Sequence, residues 1–433
     1  MSGFNSIEDL IRYDKSKGTF RVSTRIYTDP KIFELEMEKI FYGGWVFLGH
    51  ESQLKEPNDY VTTHIGSVPV ILVRTEEGEI VGLVNRCRHR GSVVCLTRMG
   101  NSKFFRCPYH GWTYSNDGRL VGIPDREGYP KTFDVEDLNL TRIRIANKYG
   151  FIFGSLAEDP PSIEEHLGSA ESFLRVLGNK YPKGIRVLEG YMSAKIRANW
   201  KILLEGSVDH YHVPFAHEST TEALKNVVGR RIDLRAMNSV AHIGNGHQVL
   251  IVHRETAQFG WEDSWYLRES KLTDFEKLWD SQNKFRIAIF PNVIIWGPNA
   301  PDRFIQIIRP ISPEYSELTT YFYLPVDGPK EYREYGIVKK DRWKMINLLH
   351  SPAGLNQPDD QAVWEFSQIG AGNSLGSNQY NDLSRGLHRE NEEWRLKRLE
   401  NFSRVDRIGA GTDDTAIRGF YEWWAKLLFG KEI

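Results

Sequence analysis

The sequence predicts an α+β chain, in which a small all-β unit precedes a larger domain built on an antiparallel sheet covered by helices. Three observations carry that expectation. Short alternating apolar segments crowd the stretch from Tyr60 to Gly122, longer strand-like runs recur between Phe285 and Leu324, and apolar stripes at helical spacing surround the second region. The 433 residues suffice for two or three domains with a full-sized core.

In chain order, Asp29 to Phe41 carries Ile32, Phe33, Leu35, Ile40 and Phe41 among acids and lysines, so residues 1–40 read as an arm packed on the larger domain. Residues 41–157 form the β unit. Its strands are Val61 to Ile65, Val68 to Arg74, Ile80 to Asn85, Phe104 to Arg106 and Leu120 to Gly122, divided by turn signals such as Glu77-Gly78 and Asn116-Asp117-Gly118. Pro160-Pro161 marks the boundary, and residues 158–433 make the second domain. There Phe285 to Trp296, Phe304 to Ile311 and Leu318 to Leu324 read as consecutive antiparallel strands. Tyr332 to His350 and Thr415 to Phe429 read as helices whose apolar stripes pack on the core. Gly370 to Gly376 lacks the spacing of a nucleotide loop and no strand feeds it, so it reads as a flexible loop. Without a Walker sequence either, reducing power must come from another protein.

Composition removes several function classes. Lys plus Arg number 56 against 57 Asp plus Glu, a net charge of -1, which argues against nucleic-acid binding driven by bulk charge. No apolar run approaches the ~18 residues of a membrane span, and Met1 to Lys15 holds no basic segment followed by an apolar one. The expectation is a cytoplasmic protein without membrane partners. Three cysteines, Cys87, Cys95 and Cys107, are too few and of the wrong parity for a disulfide framework.

Cys87-Arg88-His89 and Cys107-Pro108-Tyr109-His110 instead give two knuckles, each pairing one Cys with one His. Tetrahedral zinc accepts two thiolates and two imidazoles, but zinc fingers usually group the cysteines in one knuckle and the histidines in the other. A Rieske [2Fe-2S] cluster fits better, because two Cys hold one of its irons and two His the other. Cys95 lies outside both knuckles and reads as a small buried apolar residue.

A second constellation runs from Asn199-Trp200-Lys201 through Glu205, Asp209, His210, Tyr211, His212 and Pro214 to His217. On an unbroken helix His212 and His217 would point ~140° apart. Pro214 is expected to break the helix between them, so that His217 swings back toward a shared metal. An unbroken helix would instead pair His210 with His217. Two His and one carboxylate with open positions is the ligand set of a non-haem Fe(II) oxygenase. Asp209, three residues before His212, would sit beside it on a helix as a hydrogen-bond partner.

The knuckle sequences Cys87-Arg88-His89-Arg90-Gly91 and Cys107-Pro108-Tyr109-His110-Gly111-Trp112-Thr113-Tyr114 resemble the Rieske domain of aromatic-ring-hydroxylating oxygenase large subunits. Pro358-Asp359-Asp360-Gln361-Ala362-Val363-Trp364-Glu365 is similar to the family's late acidic motif. The resemblance makes Asp360 the third iron ligand, with Asp359 as its rival. It implies cluster ligation by Cys87, His89, Cys107 and His110, and electrons from NADH through a ferredoxin or flavin reductase. It also implies a path from His110 of one chain to Asp209 and His212 of the next, hence a head-to-tail homotrimer, with or without a small β subunit. The activity implied is conversion of an aromatic substrate and O2 to a cis-dihydrodiol. In length and motif style the chain looks most like the benzoate, salicylate, anthranilate and terephthalate branch, which suggests an aromatic acid. Arg197, Arg230, Arg231, Arg235 and Arg286 are then candidates to meet its carboxylate. The chain departs from many relatives at Glu205-Gly206, where they carry Asn after the Glu. A Rieske monooxygenase is the alternative enzyme, and an electron carrier or zinc-binding protein the alternative of another class.

Overall fold

The computed structural model describes residues 7–219, 222, 238–254, 270–297, 303–326, 351–352, 354, 356–373, 375, 379–400 and 402–433. Two compact units divide the chain, one of Phe41–Ile163 and one joining Met1–Ile40 to Glu164–Ile433. The sequence placed the boundary between the β unit and the second domain after Ala157. The β unit runs on to Ile163, and Trp45 Nε1 holds this last segment by donating to the Pro161 carbonyl at 2.7 Å.

In the β unit a seven-stranded antiparallel sheet takes the order Val46–His50, Phe151–Ser155, Arg142–Lys148, Ile80–Val84, Val68–Arg74, Asp59–Ile65 and Met99–Asn101. A three-stranded sheet of Phe104–Arg106, Thr113–Ser115 and Leu120–Gly122 carries the second knuckle. Alternation along these strands puts Ile71, Val73, Leu83, Phe105 and Tyr114 into one core, which also encloses Cys87 and Cys107.

The other unit is built on a sheet ordered Ile185–Val187, Tyr315–Pro325, Phe304–Ser312, Val293–Trp296, Asn283–Ile289, Gln248–His253, Ser239–His242 and Arg407–Ala410, with Met192–Ile196 also paired to Tyr315–Pro325. Residues 285–296, expected as one strand, form two. Proline lacks the N–H a ladder needs, and the chain turns at Pro291-Asn292 so that Ile289 pairs back onto Val293. Helix Thr415–Phe429 buries Phe420, Tyr421 and Trp424. Gly370–Gly372, expected in a loop, close the helix Asn356–Gly372, while the helix expected over residues 332–350 lies outside the described residues.

A buried carboxylate joins the helices of this unit. Glu36, at the end of helix Pro30–Glu36, accepts from Lys201 Nζ (2.6 Å), Trp200 Nε1 (2.8 Å) and Trp424 Nε1 (2.7 Å). A charge in the core requires such partners. The arm thereby fixes helix Trp200–Val208, which leads into the second constellation.

Candidate functional site

The two knuckles fold alike. In the first, Gly91 N–H donates to the Cys87 carbonyl (3.0 Å) and Cys87 N–H to the Ser92 carbonyl (2.8 Å). In the second, Gly111 N–H donates to the Cys107 carbonyl (3.0 Å) and Cys107 N–H to the Trp112 carbonyl (2.8 Å). Each turn closes only with a residue of positive φ, and glycine fills it both times, Gly91 at 75° and Gly111 at 72°. The two loops bring the His89 and His110 rings to 4.6 Å between centroids. Trp112 stacks on His89 at 5.0 Å, and the Tyr114 hydroxyl lies 3.4 Å from Cys87 Sγ.

This donor set fits a [2Fe-2S] cluster. Both sulfurs belong to free, buried cysteines, and His89 Nδ1 is buried without a hydrogen-bond partner. A buried ring nitrogen left so is a place where a metal belongs. Burial, with the neighbouring His110 and Arg90, pushes the His89 pKa down and favours the neutral imidazole that binds metal.

In the larger unit the helix breaks earlier than expected. Trp200–Val208 ends before Asp209, whose φ and ψ of -81° and 125° are extended. A one-turn helix, Val213–Ala216, follows with Pro214 in its first turn. There the missing N–H has no intrahelical partner to lose, so Pro214 starts a helix rather than ending one. His212 and His217 stand at the two ends of this turn, and both aim Nε2 at Asp360, with Oδ1 at 3.4 Å and 3.0 Å. One atom from each of His212, His217 and Asp360 lies within 4.8 Å of the others, a set that suits a mononuclear metal. His210 lines the same space, but its Nδ1 accepts from Asn238 Nδ2 at 2.9 Å.

Behind the histidines stand two carboxylates. Asp209 Oδ2 meets His212 Nδ1 at 2.9 Å, through an extended residue rather than along a helix. Asp359 Oδ2 meets His217 Nδ1 at 3.3 Å. Sequence reasoning treated Asp359 only as a rival of Asp360. On helix Asn356–Gly372 consecutive side chains diverge by ~100°, which lets one acid face each edge of His217. The site attracts positive charge: burial disfavours the His212 cation, yet Asp209 and Asp360 outweigh it and lift the ring to about 9.

The three atoms open on a cavity of about 180 Å³. Leu203, Val213, Ile294, Phe304, Leu318 and Trp364 give it apolar walls, and Arg286, Gln306 and Gln357 add polar groups. Gly206 also lines it. A Cβ there would collide with the Trp364 indole nitrogen, so the glycine makes room for Trp364.

Two donor sets that suit iron, one in a β unit and one on helices beside a sheet, are those of a Rieske oxygenase. Residues 44–136 match the Rieske [2Fe-2S] domain, and residues 186–430 match the catalytic domain of the ring hydroxylating alpha subunit. Toluate 1,2-dioxygenase subunit alpha of Pseudomonas putida is 32% identical over 408 residues, covering 89% of this chain and 85% of its own. N,N-dimethyl phenylurea N-demethylase subunit alpha of Sphingobium sp. is 32% identical over 384 residues, covering 83% and 82%. The crystal structure of naphthalene 1,2-dioxygenase from Rhodococcus sp. bound to indole matches with a TM-score of 0.83 at 28% identity, over 95% of each chain. The chain belongs to the alpha subunits of the ring-hydroxylating oxygenases. It is an oxidoreductase that carries a Rieske [2Fe-2S] cluster and a mononuclear iron, takes electrons from a separate reductase and uses O2 to hydroxylate an aromatic ring. Among the described residues no helix is long and apolar enough to cross a membrane.

Proposed function

We propose that this chain dihydroxylates the ring of an aromatic carboxylic acid to a cis-dihydrodiol. The observation that carries the reading is a His212, His217 and Asp360 cluster opening on a cavity sized for one ring. A cavity of ~150 Å³ already holds benzene, and this one has about 180 Å³. The toluate dioxygenase relative supports the acid as substrate class.

His212, His217 and Asp360 hold the mononuclear iron, and Cys87, Cys107, His89 and His110 hold the cluster. When bound, the cluster supplies one-electron storage and the iron supplies dioxygen binding and activation. The protein's share is geometric and electrostatic. An ionised carboxylate only accepts, so Asp209 keeps a proton on His212 Nδ1 and leaves the Nε2 lone pair to the metal, as Asp359 does for His217. The apolar walls orient a flat ring and exclude water.

Asp209 also serves as the electron bridge between subunits of a head-to-tail homotrimer, with or without a small β subunit. Its side chain is 29% exposed and lies next to the exposed Tyr211 and Phe215, which makes it reachable from outside its own unit. A ring must close for such an interface to be finite. The partner delivering electrons is a ferredoxin or a flavin reductase, and the compartment is the cytoplasm.

The N-demethylase relative favours a second reading, oxidation of a substrate alkyl group. A single turnover of the pre-reduced protein with O2 and a panel of benzoates, salicylates, N-methylated anilides and neutral arenes separates the two by product mass. A benzoate gaining two oxygens and two hydrogens supports ring dihydroxylation. Loss of a methyl group from an anilide, with benzoates untouched, refutes it.

A further inference from the structure

We propose that Arg286 binds the substrate carboxylate and thereby makes the enzyme selective for aromatic acids; this rests on the reading above. Five arginines were candidates by sequence. Arg197 is paired with Glu365 at 3.2 Å with a side chain 68% exposed, and Arg230, Arg231 and Arg235 lie outside the described residues. Arg286 lines the cavity that holds His212, His217 and Asp360, and no other Lys or Arg does so among the described residues.

The fold holds this guanidinium still. Arg286 lies mid-strand in Asn283–Ile289, directly across from Trp296, which is in turn across from Phe304. Its Cζ sits 5.0 Å from the Trp296 ring and 5.7 Å from the Phe304 ring, and Nη1 donates to the Ser207 carbonyl at 3.0 Å. Two aromatic faces and one hydrogen bond fix the plane of the fork.

A carboxylate entering this cavity meets one fixed cation, and the same cavity offers Ile294 and Leu318 to the ring. The acid of the cavity wall, Asp360, belongs to the metal cluster. A benzoate carboxylate therefore seats on the Arg286 fork, which matches its two oxygens. The volume admits one ring with a small substituent, and the cation decides which substituent.

The experiment measures affinities of the metal-loaded, oxidised enzyme for benzoate, benzamide and toluene by calorimetry, in the wild type, Arg286→Gln and Arg286→Lys, with iron and sulfide content checked in each. Loss of a buried, hydrogen-bonded charge partner weakens binding ~30-fold or more. Expected is that loss for benzoate in Arg286→Gln, a change within about threefold for benzamide, and partial recovery of benzoate in Arg286→Lys. The assignment is overturned if the wild type prefers benzoate and Arg286→Gln keeps that preference, or if benzoate and benzamide weaken together. Should Arg286→Gln lose its metals, the lysine variant decides alone: benzoate weakened while benzamide is unchanged supports the assignment, and no selective change overturns it. A wild type binding benzamide or toluene as tightly as benzoate points to a different failure, that of the aromatic-acid reading itself.

Discussion

The Asp209 carboxylate meets His212 Nδ1 at 2.9 Å, while the opposite edge of the same ring faces Asp360. One imidazole is thus held between a metal-side acid and an acid that reaches the surface. Asp209→Asn, whose amide oxygen can still accept from His212 Nδ1, should keep iron and cluster near wild-type content and lower coupled turnover by about 10- to 100-fold. Metal analysis, together with the rate of cluster reoxidation by O2 in the presence of substrate, checks this. Near-normal reoxidation would remove Asp209 from the electron path.

Asp360→Ala tests the ligand set. Wild-type protein should contain about three irons and two sulfides per chain. The variant should lose the mononuclear iron and retain the cluster's visible absorption. Asp359→Ala, which removes only the acid behind His217, should weaken iron binding by roughly 10- to 100-fold without abolishing it. Equal iron loss in both variants would leave Asp359 and Asp360 undistinguished as ligands.

Tyr114 offers its hydroxyl to Cys87 Sγ at 3.4 Å. A donor on a cluster sulfur stabilises the reduced, more negative state. Tyr114→Phe should therefore lower the reduction potential with the cluster intact, read by redox titration of the visible or electron paramagnetic signal. An unchanged or higher potential would mean that the hydroxyl does not donate to that sulfur.

Much of this was legible because it is local. Residues 68–74, 104–106 and 120–122 are short strand-like runs set off by turn signals, and the observed strands have those bounds. Thr415–Phe429 likewise carries its stripe on one unbroken helix. The strand Phe151–Ser155 escaped notice because it is buried on both faces and does not alternate, while Arg142–Lys148 was missed although Arg142-Ile143-Arg144-Ile145 alternates. The break at Asp209 escaped too. Pro214 is the visible signal, but its role depends on where a helix begins, and that is set by the Val208 end of the preceding one. Asp359 and Arg286 needed tertiary structure, because a helix face and a cross-strand row bring each to residues distant in sequence.

Glu205 gives a pH test remote from the ligands. Burial raises its carboxyl to about 7 although the Tyr421 and Tyr27 hydroxyls, which both donate to it, pull the other way. Between roughly pH 4.5 and 7 the folded chain keeps a proton that the unfolded chain has released. Stability should thus fall as pH rises through that window, by on the order of 2 kcal/mol. Glu205→Gln holds no such proton. The melting temperature of the wild type relative to this variant should decline from pH 5 to pH 7.5, whereas a constant difference would show that Glu205 is already ionised.

The most direct test of ring dihydroxylation is a single turnover of the reduced, metal-loaded protein with benzoate under ¹⁸O₂. The expected product is a cis-dihydrodiol carrying two labelled oxygens from one dioxygen molecule. A product with one labelled oxygen, or a dealkylated product from an N-methyl substrate where benzoate gives none, would contradict it.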